Sequence, residues 1–211
     1  MSVAALYGLE LRTPRLVLRL GTREELVELA AVAEAGIHPP DEMPFLVPWT
    51  DRVGEPGFLD MFLEHHEGHL RDWSPDEWAL NLLVMAEGRL AGSQSLTATA
   101  FAANRRVATG SWLGQSFQGR GFGTEMRRAV LELAFRGLGA ESAESGAMIG
   151  NVASQRVSAK IGYRVVGEET RAPRREPVRE LVYRLDWAEW PGAPEVEIHG
   201  LEPCLELFGA A

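Results

Sequence analysis

With 211 residues, 45% of them hydrophobic and 24% charged, the chain has the composition of a soluble globular protein. Its length is that of one domain, or of one domain with an extension. A net charge of −9 argues against broad nucleic-acid binding and is mildly suited to a cationic amine. No apolar run reaches membrane-spanning length, no basic-then-apolar leader opens the chain, and the single cysteine, Cys204, excludes an internal disulfide. The expectation is a cytoplasmic protein with no membrane contact and, since no Cys/His cluster has zinc spacing, no metal.

Leu16, Leu18 and Leu20 alternate with Arg15, Val17 and Arg19, the pattern of a half-buried strand. Thr22 and Glu25 form a Thr-x-x-Glu capping box, and Leu26, Leu29, Ala30 and Ala33 give the following helix its apolar face up to Gly36. Residues 37–51 hold four prolines, which forbid a long helix, together with Met43, Phe45, Leu46 and Trp49. Such a loop is either a lid over a pocket or a plug in the core. Residues 58–70 read as a second helix with Leu59, Phe62 and Leu63 on its apolar side and His66 at the margin. The adjacent His65 and His66 point in different directions and read as surface residues rather than a metal pair. Strands follow at 78–85 and 89–96, joined by a tight turn at Glu87–Gly88, and at 107–113.

The stretch Gln118–Gly119–Arg120–Gly121–Phe122–Gly123 then leads into a helix whose Met126, Ala129, Val130, Leu133 and Ala134 form an apolar stripe ending near Gly137 or Gly139. Strand, glycine-rich turn and helix in that order make a phosphate or pyrophosphate cradle, because the first helical turn offers unpaired N–H groups and the positive end of the dipole. A nucleotide P-loop would need Lys and then Ser or Thr after the last glycine, where Thr124 and Glu125 stand. The dinucleotide fingerprint would need a third glycine at Thr124. A glycine-rich turn with no ligand is the remaining reading of these six residues alone.

Gln118, Gly121 and Gly123 also fill a Q-x-x-G-x-G pattern, which resembles the coenzyme A pyrophosphate loop of the GNAT superfamily of N-acyltransferases. Further on, a strand at 144–148, a short helix at 151–160 and strands at 163–166 and 179–185 complete the chain. Strand, two helices, three strands, helix, strand, helix and two strands imply a mixed sheet. This order fits an α+β GNAT fold, mostly antiparallel with flanking helices, over roughly Leu11 to Trp187. Two segments resemble the RimJ/RimL-like branch: Leu11–Arg12–Thr13–Pro14–Arg15–Leu16–Val17–Leu18–Arg19, and Asn151 to Tyr163 with its Asn-x-x-Ser and Lys-x-Gly-Tyr signatures.

That resemblance implies an enzyme moving an acyl group from acetyl-CoA or another acyl-CoA to a primary amine, on a protein N-terminus, a lysine or a small molecule. Gln118, Gly119, Arg120, Gly121, Phe122, Gly123 and Thr124 would clamp the pyrophosphate. Leu113 and Gly114 would present N–H groups where their strand diverges from its neighbour, and Asn151 would meet the pantetheine amides. Ser154, three residues after the asparagine, would stand beside sulfur; Ser158 holds the position where many GNAT enzymes have a tyrosine. As a simple alternative, Ser154 caps its helix. A branch glutamate maps onto Pro173, so the base is open among Glu168, Glu169, Asp51, Glu64 and water. A charged acyl group such as succinyl would need only a wider pocket. A catalytically silent acyl-CoA-binding or regulatory module is the reading from another class. Residues 1–188 would form the acyltransferase domain. Residues 189–211, with Trp190, Ile198, Leu201, Leu205, Leu207 and Phe208, are too apolar for a free tail and would pack on the domain or on a partner subunit, a homodimer being the commonest such arrangement.

Overall fold

The computed structural model describes residues 2–210. Its sheet is built from β1 (Glu10–Arg12), β2 (Leu16–Arg19), β3 (Glu77–Ala86), β4 (Arg89–Thr99), β5 (Arg106–Leu113), β6 (Ser142–Met148), β7 (Arg164–Arg171), β8 (Val178–Asp186) and β9 (Glu197–His199). Their order is β7-β8-β6-β5-β4-β3-β2-β1-β9. Only β5 and β6 run parallel, joined by the crossover helix α4 (Phe122–Glu132), α1 (Arg23–Glu34), α2 (Phe58–Arg71) and the one-turn α3 (Phe101–Asn104) having come earlier and α5 (Val152–Ile161) following. Among the described residues no helix is long and apolar enough to cross a membrane.

Local chemistry explains several boundaries. Thr22 accepts the Glu25 N–H while Glu25 accepts the Thr22 N–H, so α1 starts on a complete capping box. Glu87 and Gly88, at φ +53° and +76°, make the left-handed pair that a two-residue hairpin between β3 and β4 requires. Alternation buries Leu16 and Leu18 of β2. Leu80, Leu82, Leu96, Met126 and Val130 fill the core on the α4 side of the sheet. Leu29, Phe58, Phe62 and Leu63 close over Leu83 on the other side, the α1/α2 face.

Two expectations for α2 need correcting. Its inward line runs Phe58, Phe62, His66, a spacing of four, so Leu59 is 38% exposed and His66 is only 6% exposed rather than at the surface. The proline-rich loop divides between its two readings. Phe45 and Trp49 pack on the α1/α2 core, with Trp49 5.6 Å from Trp112 and 6.0 Å from Phe62 between ring centroids, while Leu46 and Val47 face solvent. α4 runs into a π-turn at Leu133–Gly137 before Gly139, at φ +72°, releases the chain.

Residues 189–210 pack on the body of this same chain. Trp190 and the Ala193 N–H donate to the buried Glu132 carboxylate, which also meets Arg136 at 2.8 Å. β9 covers the outer edge of β1, and Cys204, Leu207 and Phe208 enter the main core. Trp73 and Trp78 donate their indole N–H groups to the carbonyls of Leu207 and Phe208.

Candidate active site

β5 and β6 stay paired only from Arg106–Ser142 to Ala108–Glu144. At the next residue side chains replace the ladder: Thr109 Oγ1 donates to the Glu144 carbonyl at 3.2 Å and Ser145 Oγ to the Thr109 carbonyl at 3.3 Å. Beyond that point β6 continues against β8 alone, and a split opens between β5 and β6. The Gly114 N–H bonds the Ala91 carbonyl. Antiparallel pairs alternate, so the N–H groups of Leu113 and Ser111 point away from β4 and into the split.

At the wide end lies the glycine loop. Gly119 and Gly121 take φ of +73° and +86°, which only glycine adopts freely. No backbone hydrogen bond within the described residues uses the N–H of Gly119, Arg120, Gly121, Phe122 or Gly123. Five consecutive free donors at the positive end of α4 fit a pyrophosphate. Thr124 differs from the expectation for it, since its N–H already bonds the Gly121 carbonyl. Gln118 works from behind: its carboxamide donates to the carbonyls of Ile37 and Leu113, both at 2.7 Å, tying the loop to β5 and to the segment after α1. Phe122 buries its ring, with the guanidinium groups of Arg15 and Arg120 each 4.7 Å from its centroid. Glu125 in the first turn accepts from Thr13 Oγ1 at 2.6 Å and pairs with Arg15 at 2.5 Å, and Arg15 also donates to the Arg120 carbonyl. The Thr13–Pro14–Arg15 segment is therefore a brace for the loop.

α5 borders the split. Asn151 is its N-cap, accepting the Ser154 N–H at 3.0 Å through Oδ1. This corrects the capping alternative for Ser154, whose hydroxyl is not the cap, and it commits half of the Asn151 carboxamide. Ser158 is only 1% exposed and its Oγ has no partner.

Two charged groups that sequence reasoning did not single out flank the vertex of the split from opposite faces. Arg127 of α4 is 3% exposed and donates to Ser145 Oγ at 2.9 Å and Ser111 Oγ at 3.1 Å, bridging the two strands. Its place three residues before Val130, inside an apolar stripe, was the available signal. Glu180 of β8 is 5% exposed, and its Oε1 lies where a side chain on Gly146 would begin. Because Ser145 faces α4, its neighbour Gly146 faces the α1/α2 side, and the Glu180 carboxylate lies there too. Arg171 holds Glu180 Oε2 at 2.9 Å.

On that second face a cleft of about 480 Å³ lies between the end of α1, the proline-rich loop and the β7–β8 hairpin, lined in part by Gly36, His38, Thr50, Asp51 and Arg174. Arg174 closes one side, pairing with Asp51 at 2.5 Å and reaching the Pro40 carbonyl at 3.3 Å. The same ion pair lowers the Asp51 carboxyl below its ordinary range, which makes it a weak base. Glu64 pairs with Arg71 and Glu168 with Arg179 as solvent-facing ion pairs, while Glu169, across the strand from Glu180, shares Arg171 with it.

Comparison with known proteins gives the arrangement its context. Residues 15–164 match the family model described as an acetyltransferase (GNAT) domain. Three solved structures share the fold. RimL, a ribosomal L7/L12 alpha-N-protein acetyltransferase in complex with coenzyme A, has a TM-score of 0.65 at 17% identity, over 82% of this chain and 95% of that one. RimJ of Mycobacterium smegmatis in complex with CoA-disulfide scores 0.68 at 18% identity, over 90% and 93%. The microcin C7 self-immunity acetyltransferase MccE, in complex with acetyl-CoA and AMP, scores 0.66 at 16% identity, over 82% and 93%.

Proposed function

The chain belongs to the GNAT acetyltransferase family, and from that premise we propose that it is an N-acyltransferase, moving an acyl group, acetyl in the simplest case, from acyl-CoA to a primary amine. The observation that carries the reading is the pairing of five free N–H groups on Gly119 to Gly123 with a split sheet whose open edge presents the N–H groups of Ser111 and Leu113. Acyl-CoA supplies an acyl group activated as a thioester. The loop N–H groups hold its pyrophosphate, and Gln118, Arg15 and Glu125 keep the loop in place. The Ser111 and Leu113 N–H groups, with the free half of Asn151, receive the pantetheine amides and the carbonyl oxygen as negative charge builds there.

The amine approaches from the cleft on the α1/α2 face. Its nitrogen forms the new C–N bond, the C–S bond breaks, and the amine gives up one proton while the thiolate gains one. Glu180 Oε1, on the acceptor face beside the split, takes the amine proton directly or through one water. Ser154 donates a hydrogen bond to the departing sulfur. Protein N-termini, lysine side chains and small amines all fit this chemistry, and a cytoplasmic setting supplies acyl-CoA. A symmetric dimer is supported by Val165 and Val166, exposed on the edge strand β7; sedimentation tests it.

Calorimetry with CoA, followed by release of free thiol from acetyl-CoA across a panel of N-terminal peptides, lysine peptides and small amines, tests the function. Micromolar CoA binding with amine-dependent thiol release is expected. Absence of CoA binding would overturn the reading, and CoA binding with no release for any amine would favour a silent acyl-CoA-binding module.

A further inference from the structure

We propose that the acyl chain this protein carries ends in a carboxylate, and that Arg127 is the group that recognises it. The inference rests on the acyl-CoA reading above and deepens it by naming the class of acyl donor.

Arg127 is the one arginine among the buried residues of the described chain. A guanidinium keeps its charge at every pH a protein meets, so burying it without an anion is costly. Most arginines here answer a carboxylate at the surface, whereas no carboxylate of the described residues lies within ion-pair distance of Arg127. Its partners are neutral hydroxyls, those of Ser111 and Ser145 with the Tyr163 phenol beside them. Its Nε is fully buried with no partner, as is Oε1 of Gln94, which stands directly across from Ser111 in the β4–β5 register. Tyr163, whose hydroxyl bonds Thr109 at 3.4 Å in the same polar pocket, does not supply the missing charge. Burial pushes its phenol above the ordinary value, so it stays protonated despite the nearby guanidinium.

The location identifies the anion. Arg127 sits at the vertex of the split, on the face of α4 and α5, between the two strands that part to admit the thioester. The side chains nearest it along β5 and β6 are the small polar Thr109, Ser111 and Ser145, with the larger Leu113 further along the same face of β5 and Tyr163 against Thr109. An acyl chain running from the thioester toward the vertex ends at the guanidinium. A methyl group there leaves the charge unanswered, whereas a terminal carboxylate meets a planar fork of donors that matches it. The carboxylate takes no part in the transfer, which still breaks only the C–S bond and forms only the C–N bond. Glu180 lies on the opposite face of the split, so acid and amine ends of the reaction are kept apart.

The test is calorimetric titration of the full-length protein with CoA, acetyl-CoA, malonyl-CoA and succinyl-CoA. At least one of the two acidic donors is expected to bind roughly tenfold or more tightly than acetyl-CoA, as one charge-assisted bidentate pair would give. Arg127→Met should cut that preference by roughly tenfold or more, and Arg127→Lys, which keeps the charge without the fork, should fall between. Acetyl-CoA binding as tightly as both acidic donors overturns the proposal, and so does a preference that Arg127→Met leaves intact. Should Arg127→Met fail to fold by circular dichroism, the wild-type ranking decides alone. Free CoA keeps the two readings apart: no CoA binding sinks the acyl-CoA site itself, while CoA binding without a preference for acidic donors sinks only the role of Arg127.

Discussion

The Glu180 carboxylate occupies the space that a side chain at Gly146 would need: a Cβ on Gly146 would fall well inside van der Waals contact of Oε1. The two residues sit on neighbouring strands two residues out of register and so on the same face, Gly146 opposite Val182 and Met148 opposite Glu180. Gly146→Ala should therefore push the carboxylate out of the acceptor face without touching the glycine loop. With Glu180 as the proton acceptor, Glu180→Gln should lower kcat by about 10²–10⁴-fold, and Gly146→Ala should lower it in the same direction. CoA affinity measured beside kcat separates this from general damage. Wild-type kcat in Glu180→Gln would end the assignment.

The loop glycines make a second, graded prediction. Gly121 has φ +86° and a Cβ there would stand 3.3 Å from Arg15, so even alanine at this position is strained and should cost about 1 kcal/mol of stability. Gly123 has ordinary φ, and its nearest neighbour would be Val157 at 3.5 Å, so Gly123→Ala should fold normally. Gly123→Asp then tests charge rather than backbone, placing a carboxylate where the pyrophosphate arrives. Calorimetry should show CoA affinity falling in the order wild type, Gly123→Ala, Gly123→Asp. Equal affinity for the last would remove the loop as the anion site.

What was legible in the sequence was local. Thr22 and Glu25, Glu87 and Gly88, and the glycines of 119–123 each carry their geometry within a few residues. The sheet's outer strands were harder. β1 and β9 are three residues long, too short for periodicity to register, and β9 exists because residues 197–199 find residues 10–12 far away in the chain. Phe58 and Leu59 are equally apolar, so the phase of α2 was decided by packing. The split followed from the family resemblance, since no periodicity tells where β5 leaves β6. Arg127 and Glu180 gain meaning only once the pairings of β6 with β5 and with β8 are known.

Residues 189–210 are part of the core, which makes stability rather than assembly the quantity to measure. Phe208 is fully buried against Trp73 and Trp78, with ring centroids 5.3 and 4.9 Å away. Phe208→Ala should cost about 3–5 kcal/mol. Truncation after Trp187 removes Trp190, Cys204, Leu207 and Phe208 together and should abolish cooperative unfolding in a thermal melt. A truncated chain with the wild-type Tm would contradict the packing described.

His66 sets a pH dependence of a definite sign. Desolvation, and to a lesser degree its histidine neighbours, depress its pKa from 6.5 to about 3, so it is neutral in the fold, with its ring 4.9 Å from that of Phe62. In the unfolded chain it takes up a proton near pH 6.5. Its contribution is therefore complete above that pH and is lost as pH falls toward 3, by up to about 1.4 kcal/mol per pH unit. His66→Phe should flatten the stability curve between pH 6.5 and 5, where carboxylates change little. An unchanged slope in urea melts across that interval would show that His66 is not the titrating group.

The two serines of α5 are distinguishable by what each loses on truncation to alanine. Asn151 provides the cap, so Ser154→Ala should leave stability close to wild type, where a cap residue would have cost about 1 kcal/mol. Ser158 is buried with an unpartnered hydroxyl, so Ser158→Ala removes an unmet polar group and should be neutral or slightly stabilising. If Ser154 donates to the departing thiolate, its alanine variant should lose about 1.5–3 kcal/mol of transition-state stabilisation, the range for a hydrogen bond to a charged group. That is roughly ten- to a hundredfold in kcat, with CoA affinity less affected. Ser158→Ala should keep kcat near wild type. The measurement needs an accepted amine and single-turnover conditions in which transfer, not product release, is rate-limiting. A large kcat loss in Ser158→Ala with none in Ser154→Ala would move the role one turn along α5 to the buried hydroxyl.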